Sequence, residues 1–106
     1  MSAKTSGNTQ IIEKVKPRTD LEPPKNFKVI YLNDEITTMD FVIQSLMEVF
    51  DYDFDDATKT CKQVHEEGSS VVAVLPFELA EHKGIEVTML ARTNNFPLQI
   101  KIEPED

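Results

Sequence analysis

A single cysteine, Cys61, leaves this chain unable to close a disulfide on itself, so a reducing compartment such as the cytoplasm is the expected setting. No stretch reaches the roughly eighteen consecutive apolar residues that a membrane-spanning helix needs. The opening residues, "MSAKTSGNTQIIEKVKPR", contain no apolar core of the kind a secretory signal requires. Neither membrane association nor export is expected. Cations are scarce where the chain is best able to fold: residues 26 to 106 hold six Lys/Arg against sixteen Asp/Glu, while residues 1 to 25 hold five against three. Nucleic-acid binding, which needs clustered Lys and Arg to neutralise phosphates, is not expected of so acidic a body. Its charge suits solubility or a cationic partner.

What is present can build one modest core, since 106 residues are short for two domains. Residues 1 to 25 are polar, are interrupted by Pro17, Pro23 and Pro24, and offer only Ile11, Ile12 and Val15 for burial. They are expected to form a flexible N-terminal extension ahead of a core domain at residues 26 to 106. The core opens with "FKVIYL" (Phe27 to Leu32), whose near-continuous hydrophobicity predicts a strand covered on both faces.

Thr37 and Asp40 then have the spacing of a capping box, and Met39, Val42, Ile43, Leu46, Met47 and Phe50 follow at the three-and-four spacing of a helical face. Asp53 and Asp56 repeat the capping pattern before a second helix that carries Ala57, Cys61, Val64 and His65 on one side and ends at Gly68 in a left-handed cap. "SSVVAVLP" (Ser69 to Pro76) reads as a strand and "FELAEHKGIEVTMLAR" as a third helix. Leu98, Ile100 and Ile102 alternate with polar residues as a final strand. The order β-α-α-β-α-β predicts an α+β fold with one three-stranded antiparallel sheet packed against three helices. Gly84, inside the third helix, predicts either close approach to a neighbour or a kink.

Residues with chemistry stand at the first strand's end and on the second helix. Asn33, Asp34 and Glu35 sit in a loop between two rigid elements, a good place to present side chains, although a solvated turn would use the same residues. His65, read on the apolar side of its helix, calls for a hydrogen-bonding partner. Cys61 and His65 lie one helical turn apart, yet no oxyanion donors or third orienting group can be assigned, so catalysis is not expected. Asp34, Glu35, His65 and Cys61 are possible metal ligands by type but lack a compact spacing motif. No cofactor is expected.

The stretches "FKVIYLNDEITTMDFVIQSLMEVFDYD", "ATKTCKQVHEEG" and "FELAEHKG" together resemble the ClpS family, the adaptors that deliver N-degron substrates to the Clp AAA+ protease, over residues 26 to 103. The resemblance implies that Asn33, Asp34 and His65 hold the free α-amino group of a substrate's first residue. It also implies an apolar pocket for Phe, Tyr, Trp or Leu, lined by Thr37, Met39, Val42, Cys61, Val64 and Leu98, with Met39 excluding side chains branched at Cβ. Glu78 and Lys83 match positions that contact the N-terminal domain of the ClpA or ClpC unfoldase, and the N-terminal extension matches the segment that helps hand substrate over.

A monomeric, non-catalytic adaptor of the bacterial cytoplasm is the reading that follows. Glu35, Thr38, Asp40 and Cys61 depart from the usual Asp, Pro, Glu and Met of the family pattern. The shorter Cys61 side chain should leave the pocket roomier. Two alternatives stay open: an interaction module of the same fold without N-terminal residue recognition, and a metal-dependent enzyme built on Asp34, Glu35 and His65.

Overall fold

The computed structural model describes residues 25–106, so the expected N-terminal extension lies outside the described residues. Six elements follow in the predicted order: β1 (Asn26–Leu32), α1 (Met39–Phe50), α2 (Phe54–Glu67), β2 (Ser69–Pro76), α3 (Phe77–Thr93) and β3 (Gln99–Pro104). The strands form an antiparallel sheet in the order β2-β1-β3, which puts the most apolar strand in the middle. Val29 and Tyr31 alternate inward from β1 to meet Leu46 and Val49 of α1, Ala57 and Val64 of α2, and Val87 and Ala91 of α3 in one core.

The prediction that both faces of β1 are covered needs correction. Helices cover one face, while on the other Val71 and Val74 of β2 remain exposed and Lys28 of β1 lies 4.0 Å from Glu103 of β3. Ile30, on that open face, is nonetheless only 8% exposed, because a central strand is flanked on both edges by neighbours. Continuous hydrophobicity here reflects the central position in the sheet rather than a second helical layer.

Between Val29 and Ile30 the pairing with β2 slips: Val29 faces Ala73 and Ile30 faces Val71. The extra residue, Val72, turns into the core, and its carbonyl accepts a 2.6 Å hydrogen bond from the Tyr52 hydroxyl. A bulge leaves one residue outside the ladder, and here a side chain from the α1–α2 connection uses the group that is left over. Gly84 brings α3 close to the sheet: a Cβ built there would lie 3.3 Å from the Ile102 Cδ1 and 3.5 Å from the Ile100 Cγ2. Close approach, not a kink, is what this glycine serves.

Candidate functional site

The site is assembled where β1 ends. Asn33, exposed, is the first residue beyond the strand, and its backbone N–H donates to the Gly68 carbonyl at 2.9 Å. Gly68 ends α2 with φ +92°, a left-handed turn that glycine adopts without Cβ strain, so the predicted cap also ties β1's exit to α2's last turn. His65 sits in that last turn. Its ring, however, is exposed rather than in the apolar stripe read from the sequence. Ala57, Cys61 and Val64 are buried, whereas His65, about 100° beyond Val64 and about 40° beyond Cys61, falls on the flank. Among the described residues no direct hydrogen bond joins it to Asn33 or Asp34.

Asp34 is held by its own loop. Its Oδ1 accepts from the backbone N–H groups of Ile36 at 2.8 Å and Thr37 at 2.6 Å, and its Oδ2 accepts from the Thr37 hydroxyl at 2.8 Å. A carboxylate has about four acceptor positions, so one remains on Oδ2 for an incoming donor. Partial burial pushes the Asp34 carboxyl up, but the Thr37 and Ile36 N–H groups, the Thr37 hydroxyl and the Arg92 guanidinium together bring it below the usual aspartate value. It stays an anion at neutral pH.

These bonds overturn the predicted capping box. Thr37 spends its hydroxyl on Asp34, and the N-cap of α1 is Thr38, whose Oγ1 accepts from the Phe41 N–H at 3.1 Å. Two consecutive threonines offer the same hydroxyl, and Asp34, three residues before the first, decides between them. Thr38 therefore occupies the cap itself rather than the position after it. The Asp53 cap of α2 forms as predicted, its carboxylate accepting from the Asp56 N–H at 2.8 Å.

Of the six apolar-pocket candidates, Val42, Cys61, Val64 and Leu98 belong to the single core cluster, with Leu98 only 1% exposed. Met39 is 44% exposed at the start of α1, and Thr37 is half-buried. Cys61 Sγ lies 3.6 Å from the Met39 carbonyl, which joins the middle of α2 to the first turn of α1. Burial pushes the Cys61 thiol up, and the Asp40 charge adds to the effect. A cavity of about 230 Å³ opens at the end of β1, lined by Leu32, Asn33, Asp34, Pro97 and Gln99.

Glu78 is exposed in the first turn of α3. Lys83 is half-buried, and its Nζ donates to the Val49 carbonyl at 2.9 Å, supplying a cation to the C-terminal end of α1, which has none of its own in its last turn. Among the described residues no three His, Cys, Asp or Glu side chains gather into a metal-ligand set. Nor is any helix among them long and apolar enough to cross a membrane.

Arg92 carries no distinguishing mark in the sequence. Its Nη1 donates to the carbonyls of both Phe96 and Leu98, each at 2.9 Å, and its charge acts on Asp34. The available signal is a basic residue in the last turn of α3, which reads as an ordinary helix-end cation.

Comparison with known proteins bears on this geometry. A sequence model of the family described as "ATP-dependent Clp protease adaptor protein ClpS" matches residues 22–101. The chain belongs to the ClpS family. ATP-dependent Clp protease adapter proteins ClpS from Campylobacter jejuni are 42% identical to it over 97 residues, spanning 92% of this chain and 97% of theirs. The ClpS of Acetivibrio thermocellus is 42% identical over 94 residues, spanning 89% of this chain and 95% of its own. The structure of Agrobacterium tumefaciens ClpS2 bound to L-phenylalaninamide superposes with a TM-score of 0.76 at 38% identity, covering 78% of this chain and all of that one. Three helices on a three-stranded antiparallel sheet are therefore the ClpS fold, and the chain is a non-catalytic adaptor of the Clp protease.

Proposed function

We propose that this adaptor recognises the free N-terminal residue of its substrates, when that residue is Phe, Tyr, Trp or Leu, and delivers them to a Clp AAA+ unfoldase in the bacterial cytoplasm. The observation that carries the reading is the join between Asn33 and Gly68, which gathers an amide, the anchored Asp34 carboxylate and the last turn of α2 at one end of the apolar core. An α-ammonium has three donors. The Asn33 side-chain oxygen, the free acceptor position on Asp34 and a ring nitrogen of His65 can each take one, directly or through water. An internal peptide group offers one N–H and no charge, and is refused. The ClpS2 relative was solved with L-phenylalaninamide, a small molecule that carries both a free amine and an aromatic side chain.

The substrate's apolar side group enters past Thr37 and Met39, the accessible members of the set, toward Val42, Cys61, Val64 and Leu98, which are buried in the core. Removing such a group from water contributes about 1.5–3 kcal/mol, or roughly 10- to 150-fold in affinity. Met39 at the mouth crowds side chains branched at Cβ, and Cys61 leaves room for large aromatics, Trp included. Peptides that differ only in the first residue test this ranking; Leu outbinding every aromatic would reject the Cys61 assignment.

Glu78 and Lys83 form the face offered to the N-terminal domain of ClpA or ClpC, so cargo and unfoldase are held on separate surfaces of one monomer. Glu78→Arg should abolish stimulation of degradation by the unfoldase while peptide binding persists. The recognition itself is tested by calorimetry with one Phe-initiated peptide, free and N-acetylated, with and without chelator. Free peptide binding and acetylated peptide failing to bind is the expected result. Equal binding would instead favour an interaction module without N-terminal recognition.

A further inference from the structure

The segment between α3 and β3 contributes both Leu98 to the core and Pro97 to the cavity beside Asn33 and Asp34, and its shape depends on one side chain. After α3 the chain reverses sharply. Asn94 donates through its backbone to the carbonyls of Leu90 and Ala91, Asn95 adopts φ +65°, and the Phe96 N–H returns to the Ala91 carbonyl at 2.9 Å. Those contacts satisfy the helix end but do not use the carbonyls of Phe96 and Leu98. A single nitrogen, Arg92 Nη1, collects both at 2.9 Å.

Two further contacts make this clamp relevant to recognition. The Phe96 ring lies 5.1 Å, centroid to centroid, from Phe41 in the first turn of α1, next to Val42. Gln99, the residue after Leu98, pairs with Leu32, so the clamped segment enters the sheet alongside the strand end that carries Asn33 and Asp34. Pro97, between the two clamped carbonyls, lines the cavity with Asn33 and Asp34, and the Arg92 charge is the last of several influences that bring the Asp34 carboxyl down.

We propose that Arg92 is a positioning residue for first-residue recognition: its grip on the Phe96 and Leu98 carbonyls sets Pro97, which lies between them on the cavity wall, against the acceptors Asn33 and Asp34, and Leu98 into the core behind it. The proposal rests on the amino-group recognition proposed above. Arg92 does not touch the ligand. It holds the oily wall and the anionic acceptor in register, so that a ligand's side group and its ammonium are met at the same time. Lysine keeps the charge but not the planar fork, and glutamine keeps a donor without the charge.

The test is calorimetry of L-phenylalaninamide and N-acetyl-L-phenylalaninamide on the wild type, Arg92→Lys and Arg92→Gln, with melting curves for all three. Wild type should take the free amine and refuse the acetylated form. Arg92→Gln, still folded at the assay temperature, should bind L-phenylalaninamide roughly ten-fold more weakly, and Arg92→Lys should recover most of the loss. A residue that merely staples the chain would lower the melting temperature in both variants and leave the affinity of the folded protein at the wild-type value, which overturns the proposal. If Arg92→Gln does not fold, the Arg92 Nε resonance of the wild type decides: a shift on adding L-phenylalaninamide supports the role, and an unmoved resonance refutes it. Equal wild-type binding of both compounds would refute amino-group recognition itself and the proposal with it, a result distinct from a discriminating wild type matched by Arg92→Gln.

Discussion

Removing the Ser45 hydroxyl should be costly only while Tyr31 is present. Tyr31 is fully buried in the central strand, one residue before Leu32 and two before Asn33, and its hydroxyl lies 2.7 Å from Ser45 Oγ on α1. Ser45 in turn donates to the Val42 carbonyl at 2.9 Å, so the proton between the two hydroxyls belongs to Tyr31. Burial holds this phenol far above its ordinary ionisation range, with the Ser45 bond opposing that shift, and it acts solely as a neutral donor.

Ser45→Ala strands that donor in the core, at a cost of about 1–3 kcal/mol. Alanine returns about 0.5 kcal/mol through better helix propensity, leaving a net loss near 1.5 kcal/mol. Tyr31→Phe removes the donor itself and should cost about 0.5–1.5 kcal/mol, the net worth of one hydrogen bond. Once Tyr31→Phe is in place nothing is left to strand, and adding Ser45→Ala should be close to neutral. The coupling between the two changes is then about 1.5 kcal/mol, well above the roughly 0.5 kcal/mol within which independent sites add. Urea unfolding of the wild type, the two single variants and the double variant measures it; a melting shift of about 4–8 °C per kcal/mol is expected for a domain of this size. A Ser45→Ala cost that is the same with and without Tyr31→Phe would refute the reasoning, because it would mean that no desolvated donor is waiting on that oxygen.

Three other expectations follow from single contacts. Lys83→Met removes the donor to the Val49 carbonyl at the C-terminal end of α1 and should cost about 1 kcal/mol in urea unfolding. Gly68→Ala meets open space but must adopt φ +92°, so it should cost about 1–2 kcal/mol and weaken free-amine binding by loosening the Asn33 join, both readable from a melting curve and a titration. Because the folded Asp34 carboxyl is depressed, its contribution to stability is complete above the ordinary aspartate value of about 3.9 and is lost as pH falls through the depressed value. Asp34→Asn, which cannot ionise, should therefore differ from wild type less at pH 3 than at pH 5 when urea midpoints are compared.

Much of the site is legible in the sequence because its signals are local. The Asn33-Asp34 loop, the Asp53 and Gly68 caps and the apolar spacing of Val42, Cys61 and Val64 each lie within a few residues of what explains them. His65 departs from its expected place because a helical stripe has soft edges: one residue beyond Val64 is enough to turn a ring from the core to solvent. The choice between Thr37 and Thr38 is hidden because capping spacing is degenerate when two hydroxyls adjoin. Arg92 cannot be singled out along the chain, since its partners are loop carbonyls, and every residue carries a carbonyl.

Periodicity and turn chemistry were sufficient for the number, order and type of the six elements, and for the acidic, single-core character of the domain, since these depend on neighbours along the chain. Which strand sits in the middle, the bulge that turns Val72 inward, the reach of Lys83 to Val49 across 34 positions and the clamp of Arg92 on the loop beside Asp34 were settled only when the elements packed. Such contacts link groups that are distant in sequence and ordinary in type, and their partners become distinguishable only when the whole core excludes the alternatives.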